Sequence, residues 1–363
     1  MKYSVQTKNY SLCLVAMLML LCSLPALAKD QGYTKRKEIN KSFNVSMNDL
    51  LQVDNRYGNI TIAYWGKKEV AFRIVIESKS SNESRAQTEL DRVNIDLQKS
   101  GNTVSAITSL AKSSGNWNWG NGENNSLNIH YYINIPNGLA IDLTQKYGNI
   151  DLPASNDGKC DLHVKYGNLK AGNFKAGLTV EAKYSNVTIG NVNNAELEVG
   201  YAGNVSIGNA KELNIDSKYS NLTLQDVKKL SLEKKYGNLK AGTIESVSLE
   251  MKYSEGTIQA ITSQLIVDEL SYGSLTVKEL SPNFREVNVN ARYGNLNLNI
   301  PAKAAFKVSA DNMKYGNYSI KGFNITSSEK EDKRTYRSEI NNGGNRTIYF
   351  NGNGYSNLKI NAN

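Results

Sequence analysis

Side chains able to do chemistry are few and badly placed for it. The two histidines, His130 and His163, and the cysteine between them, Cys160, show none of the close spacings that hold zinc. Serine and aspartate are plentiful, but no motif singles out a nucleophile or sets an acid against a base. No glycine-rich phosphate loop is present, and Asn-Gly-Gly-Asn around Gly343 reads as a turn. The acids recur beside lysines, which neutralises charge where a polysaccharide lyase or hydrolase would concentrate it. The sequence therefore predicts a protein that is not an enzyme and that needs no metal or cofactor.

Binding chemistry is better represented. Ser113 to Ser126 breaks the regular plan of the chain and carries Trp117 and Trp119 in a Gly/Asn-rich loop. Two such aromatics can stack on carbohydrate or simply cover the end of a core. A basic column, Lys146, Lys165, Lys183, Lys218, Lys235, Lys252, Arg292 and Lys314, recurs one place before a repeated tyrosine. Two places earlier stand Glu181, Glu198, Asp216, Glu233, Glu250 and Glu269. Acid beside base along the middle reads as a solvated structural face. The flanking cations Lys146, Lys165, Arg292 and Lys314 face Thr144, His163, Asn290 and Asn312 instead, so an anion site belongs there.

These residues are set out by a repeat. Tyrosine, usually followed by Gly or Ser and then Asn, recurs at Tyr57, Tyr147, Tyr166, Tyr184, Tyr201, Tyr219, Tyr236, Tyr253, Tyr272, Tyr293, Tyr315 and Tyr355. From Tyr147 to Tyr315 the steps are 19, 18, 17, 18, 17, 17, 19, 21 and 22 residues. Within each unit Leu, Ile and Val alternate with polar residues, as in Leu162, Val164 and Tyr166, the pattern of short strands with one face buried. The Gly/Ser-Asn step interrupts the phase as a bend does, since Gly and Asn tolerate positive φ. Two strands and two bends in about 18 residues predict one coil of a parallel β-helix, and stacked coils predict a rod of roughly 45 Å.

The expected architecture is a single all-β domain, a parallel β-helix of about ten coils over 141–320. A β-rich N-terminal cap with one short helix precedes it over 29–140, and a C-terminal β-hairpin cap follows over 321–363. The helix is expected over Glu83 to Arg92, capped by Asn82 or Ser81. The structural ladder comprises Tyr147, Tyr166, Tyr184, Tyr219, Tyr236, Tyr253 and Tyr293. Because these share their phase with Leu and Val, the rings are expected in the core or its corner; an exposed track for sugars or bases is the alternative. The asparagines are expected to hydrogen-bond from turn to turn.

Residues 1–28 have the form of a signal peptide: Lys2 and Lys8, an apolar Leu12 to Leu21, and Ala26-Leu27-Ala28 before the cut. Removing the two lysines takes the net charge from +9 to +7. That excess favours anionic surfaces, including peripheral contact with an outer membrane. Cys160 is left as a lone thiol. The protein is therefore expected to be exported, to the periplasm or the cell surface.

The Tyr-Gly-Asn and Tyr-Ser-Asn turns, with NRYGNITIAYWGKKEVAFRIVIE near the start and YYINIPNGLAIDLTQKYGNIDL later, resemble the bacterial putative adhesins, including the auto-transporter adhesin head domains. The resemblance implies an exported β-solenoid with an adhesive or envelope role, and brings no catalytic residue. Its partner would be an envelope or host glycan, or an envelope protein; nucleic acid is not expected. The alternatives are an envelope-stress interaction module and, from analogy of fold alone, a polysaccharide lyase or hydrolase.

Overall fold

The computed structural model describes residues 32–112, 125–332 and 334–363, and these form an all-β protein with one helix. Pairing is mixed, parallel through the middle of the chain and partly antiparallel at both ends. The proposed signal peptide, Trp117 and Trp119 lie outside the described residues.

The N-terminal region supplies β1 (Tyr33–Asn44), β2 (Leu50–Arg56), β3 (Ile60–Trp65), β4 (Glu69–Ser80), the helix α1 (Glu83–Asp91), β5 (Val93–Ser100), β6 (Thr103–Leu110) and β7 (Ser126–Pro136). Asn82 caps α1, its side-chain oxygen accepting from the Arg85 N–H at 3.0 Å, as the sequence predicts. The middle comprises β8 (Ala140–Lys146), β9 (Ile150–Asp151), β10 (Ser155–Asn156), β11 (Cys160–Lys165), β12 (Asn168–Ala171), β13 (Asn173–Lys183), β14 (Asn186–Ile189), β15 (Val192–Gly200), β16 (Asn204–Ile207), β17 (Ala210–Lys218) and β18 (Asn221–Leu224). It continues through β19 (Val227–Ser271), which turns at Tyr236 and Tyr253, to β20 (Ser274–Val277), β21 (Glu286–Arg292) and β22 (Asn295–Ile300).

Strands that precede a tyrosine pair with one another, and so do strands that follow one. The first set runs β2, β8, β11, β13, β15, β17, β19, all parallel. The second runs β3, β9, β12, β14, β16, β18, β19, also parallel. Partners lie one tyrosine step apart: Leu162 opposes Leu143 and Val180, and Leu169 opposes Ile150 and Val187. Equal phase in every unit makes each inward position a column. Leu143, Leu162, Val180, Leu197, Ile215 and Leu232 are all buried, and so are Leu169, Val187, Val205, Leu222 and Leu239. Each such aliphatic contributes about 1.5–3 kcal/mol on burial. Outward positions between them carry the charges.

The ends correct the expected caps. The 90-residue step from Tyr57 to Tyr147 is not a boundary between designs, because β2 and β3 pair directly with β8 and β9. The Tyr57 turn is an ordinary rung, and the excursion between folds over the end. There β6 and β7 pair in parallel with β2 and β3, while β1–β4, β4–β7 and β5–β6 are antiparallel.

At the other end are β23 (Phe306–Asp311), β24 (Tyr318–Lys321), β25 (Ile325–Lys330), β26 (Tyr336–Ile340), β27 (Thr347–Asn353) and β28 (Asn357–Ala362). A hairpin does form, β25 with β26, and β26 pairs antiparallel to β23. The last two strands are not part of it. β27 inserts in parallel between β21 and β23, and β28 between β22 and β24. In space the final rungs therefore run Tyr293, Tyr355, Tyr315, and the C-terminus is locked inside the sheet.

One inward position departs from the apolar rule. The column two places before the tyrosines opens with Asn55 and Gln145, buried and hydrogen-bonded to each other, and continues Val164, Ala182, Val199, Ser217, then Lys234, then Met251. Lys234 is 1 % exposed, and its ammonium donates to the carbonyl oxygens of Ser220 at 2.5 Å and Tyr236 at 3.1 Å. Burial disfavours the charged form and pulls its pKa down to about 8 from 10.5. Between those values the unfolded chain holds a proton that the folded chain has released, so stability rises with pH across the interval. Relative to Lys234→Met, the wild type should gain stability in denaturant titrations as pH rises from about 8 to 10.5. A difference independent of pH would contradict it.

Candidate binding surface

Tyr57 and the tyrosines from Tyr147 to Tyr293 have φ between 52° and 61°, the left-handed region. The sequence pattern assigns that burden to Gly and Asn; the structure assigns it to tyrosine. For a residue with a Cβ the conformation costs roughly 1–2 kcal/mol. Two contacts at each bend offset it. The tyrosine N–H donates to the next rung, as from Tyr147 to the Lys165 carbonyl at 2.9 Å and from Tyr201 to Lys218 at 2.9 Å. The ring then stacks on its neighbours, with centroids 4.5–5.3 Å apart and planes within 4–13° from Tyr57 to Tyr293. Each such contact adds about 0.5–1.5 kcal/mol.

The left-handed residue also breaks the strand alternation, so the ring turns out of the core. Tyr147 to Tyr293 are 39–54 % exposed. The expected ladder exists, but on the surface. Because the rings stack face to face, solvent meets their edges and hydroxyls. At the far end Tyr355 and Tyr315 continue the column with tilts of 28° and 27°, without the left-handed backbone.

Beside the rings, small residues and asparagines fix the turn. A Cβ added to Gly167 would lie 1.8 Å from the Gly148 carbonyl oxygen, so only glycine fits that approach. Where serine takes the place, its hydroxyl is used: Ser185 donates to the Lys183 carbonyl at 2.8 Å. One residue on, Asn168 N–H donates to Asn149 Oδ1 at 2.9 Å, and Asn186 Nδ2 to Asn168 Oδ1 at 3.0 Å. The asparagine ladder bonds between turns as expected. A second ladder, on the other bend, escaped the sequence reading. The Asn191 N–H donates to Asn173 Oδ1 at 2.7 Å and Asn209 N–H to Asn191 Oδ1 at 2.8 Å. Its signal was the Gly-Asn pair at 172–173, 190–191 and 208–209.

The charged columns pair where the sequence sets them together. Lys183 reaches Glu181 at 2.6 Å and Glu198 at 3.4 Å, Lys218 reaches Asp216 at 2.8 Å, and Lys252 reaches Glu269 at 2.5 Å. The Lys183 hydrogen bond holds Glu181 below the ordinary carboxylate range, and Asp216 lifts Lys218. These exposed pairs set the character of the face more than its stability.

The four cations proposed for anion binding do not come together. Lys146 and Lys165 lie on adjacent rungs near one end, beside a shallow cavity of about 330 Å³ that also involves His163 and Glu181. Arg292 and Lys314 lie towards the other end, with the inserted β27 between their rungs. None of the four has an ion-pair partner among the described pairs, and the ammonium groups of Lys165 and Lys314 sit over Tyr166 and Tyr315 at 5.1 and 4.6 Å. His163 weakens the case for an anion at the first pair. Its Nε2 is 3.1 Å from Asp161 and its Nδ1 3.3 Å from Glu181, so carboxylates sit within the same patch.

Cys160 is buried, and burial pushes its thiol up to about 12, which leaves it unreactive at neutral pH. Among the described residues no group of three or more His, Cys, Asp or Glu side chains is placed to hold a metal. No described helix is long and apolar enough to cross a membrane.

Comparison with known proteins gives resemblance at the level of solved structures. No family model matches the chain, and no curated protein matches it. It is similar to a structure described as a putative adhesin from Parabacteroides merdae, at 16% identity over 73% of this chain and 90% of that one, with a TM-score of 0.26. A putative cell adhesion protein from Clostridium sporogenes gives 9% identity over 91% and 100%, with a TM-score of 0.19. A putative lipid binding protein from Parabacteroides distasonis gives 11% over 89% and 96%, at 0.25. The adhesin descriptions agree with the resemblance seen in the sequence.

The bend makes a sharp demand on stability. Gly167→Ala should lower the unfolding free energy by roughly 2 kcal/mol or more, since two backbones must part to admit the methyl group. Urea titration of the two proteins measures it, and equal midpoints would contradict the close approach.

Proposed function

We propose that this chain is an exported, adhesin-like binding protein of the cell envelope or surface. Its middle is read as a β-solenoid that recognises a glycan or another macromolecule without catalysis. The observation that carries this reading is the stacked tyrosine column, which runs from Tyr57 to Tyr315 across rungs far apart in sequence and is exposed from Tyr147 onward. Stacking steadies the turns, and the same row of phenol edges is suited to contact with an extended partner. The signal-peptide pattern at 1–28 supports export. The net positive charge supports association with an anionic envelope surface.

The protein is taken as a non-enzyme because several acids of its outward columns are held in ion pairs, as in Glu181–Lys183 and Glu269–Lys252. A glycan array probed with the mature chain, paired with an assay for new reducing ends or unsaturated products on acidic polysaccharides, tests it. Saturable retention without turnover is the expected result. Turnover would replace this reading with an enzyme. No retention, together with a stoichiometric envelope protein recovered from the native host, would replace it with a regulatory module.

A further inference from the structure

The bend surface is not uniform, and the asparagine ladder is interrupted between Tyr236 and Tyr293. Elsewhere the position after the small residue is asparagine, tied to its neighbours by the side-chain ladder. Here Glu255 and Ser274 take that place, opposite each other and followed by Asn295. Neither side chain is engaged in any hydrogen bond or ion pair found among the described residues, and Glu255 is exposed. Gly237 and Gly273 line the same stretch, and both abut the preceding turn: an added Cβ would lie 2.4 Å from the Ser220 carbonyl oxygen and 2.2 Å from that of Ser254. The result is an open trough of about 510 Å³, walled by Tyr253, Tyr272 and Tyr293 and floored by the turn residues.

The chemistry of the trough defines its occupant. Ring faces are used up by stacking, at 5.1 Å for Tyr253–Tyr272 and 5.0 Å for Tyr272–Tyr293, so the wall offers ring edges and phenol hydroxyls in a row. Each phenol hydroxyl can both donate and accept a hydrogen bond. Glu255 is an unengaged acceptor that repels phosphate and carboxylate and suits neighbouring hydroxyl or amide groups. A ligand suited to the trough is therefore non-anionic, rich in hydroxyls, and periodic along the stack.

An extended β-1,4-linked sugar chain meets all three conditions, because its rise per sugar is close to the strand spacing of a sheet, roughly 4.8 Å. An α-1,4-linked chain coils and loses register after a rung or two. We infer that the Tyr253–Tyr272–Tyr293 trough binds an uncharged β-1,4-linked glycan laid along the stack, one sugar per rung. The inference rests on the binding-protein reading above and names its ligand class and place.

Calorimetric titration of the mature chain with chitohexaose, cellohexaose, shorter chitooligosaccharides and maltohexaose tests it. Expected are binding of a β-1,4 hexasaccharide, a gain of about tenfold from two sugars to four or more, and no binding of maltohexaose. The triple variant Tyr253→Phe, Tyr272→Phe, Tyr293→Phe keeps the stacked rings and removes the hydroxyls. It should melt like the wild type and lose at least about tenfold in affinity. Glu255→Gln should weaken binding severalfold, and Tyr349→Phe, exposed on β27, should not change it. Undiminished binding by the triple variant, equal binding of maltohexaose, or no β-1,4 binding at all would overturn the inference. Retention of some other glycan on the array would then leave the binding-protein reading standing, whereas retention of none, with a stoichiometric envelope protein recovered from the native host, would remove both.

Discussion

Strands that pair in parallel with copies of themselves 17 to 21 residues on, from Tyr147 to Tyr293, leave the chain sharp turns to make without losing the hydrogen bonds of its sheet. Here the turn is made by one residue in the left-handed conformation, placed where its N–H still reaches the carbonyl of the next rung. That arrangement fixes much else. It flips the side-chain phase, so the turn residue points outward while the strands on either side keep Leu, Ile and Val inside. It brings consecutive turns so close that Gly148 and Gly167 have no room for a Cβ. It also sets the spacing at which rings, amides and charges meet their copies. Tyrosine bears the strain of the turn because stacking returns a comparable amount at every rung.

Stacking of identical rungs also explains the electrostatics. A column of lysines at strand spacing would repel itself, and the acidic column on the same outward face relieves this through contacts within a rung and between rungs, as Lys183 does with Glu181 and Glu198. The compensated middle is then a poor anion site. The trough near Tyr272 differs because its ladder asparagines are replaced by Glu255 and Ser274, which have no hydrogen-bond or ion-pair partner among the described residues.

Much of this was legible in the sequence. Period-two alternation marks the buried columns, and the tyrosine steps set the strand register beside each turn from Tyr147 to Tyr293, because both follow from a uniform phase; the shifts within β13–β15 and β19–β21 have no such signal. The helix at 83–91 followed from Asn82 and the polar run after it. The position of the tyrosine ring was misread for a definite reason: alternation holds only while φ stays extended, and Tyr166 looks continuous with Leu162 and Val164 in the sequence alone. Glycine and asparagine beside it seemed the natural carriers of positive φ. The C-terminal insertion was hidden because the sequence order of Tyr315 and Tyr355 does not reveal that the later strands fill the gap beside β21 and β22. Glu255 passed unnoticed because it becomes distinctive only against a structural column of asparagines.

The central claim is that the tyrosines are stacked outside the core by a left-handed turn. Nitration of the folded chain with tetranitromethane, followed residue by residue in a mass spectrometer, tests it directly. Tyr147 to Tyr293 should react readily, while Tyr131, wholly buried and bonded through its hydroxyl to Thr108 at 2.7 Å, should be protected until the protein unfolds. Protection of the ladder tyrosines to the same degree as Tyr131 would place them in the core and contradict the account.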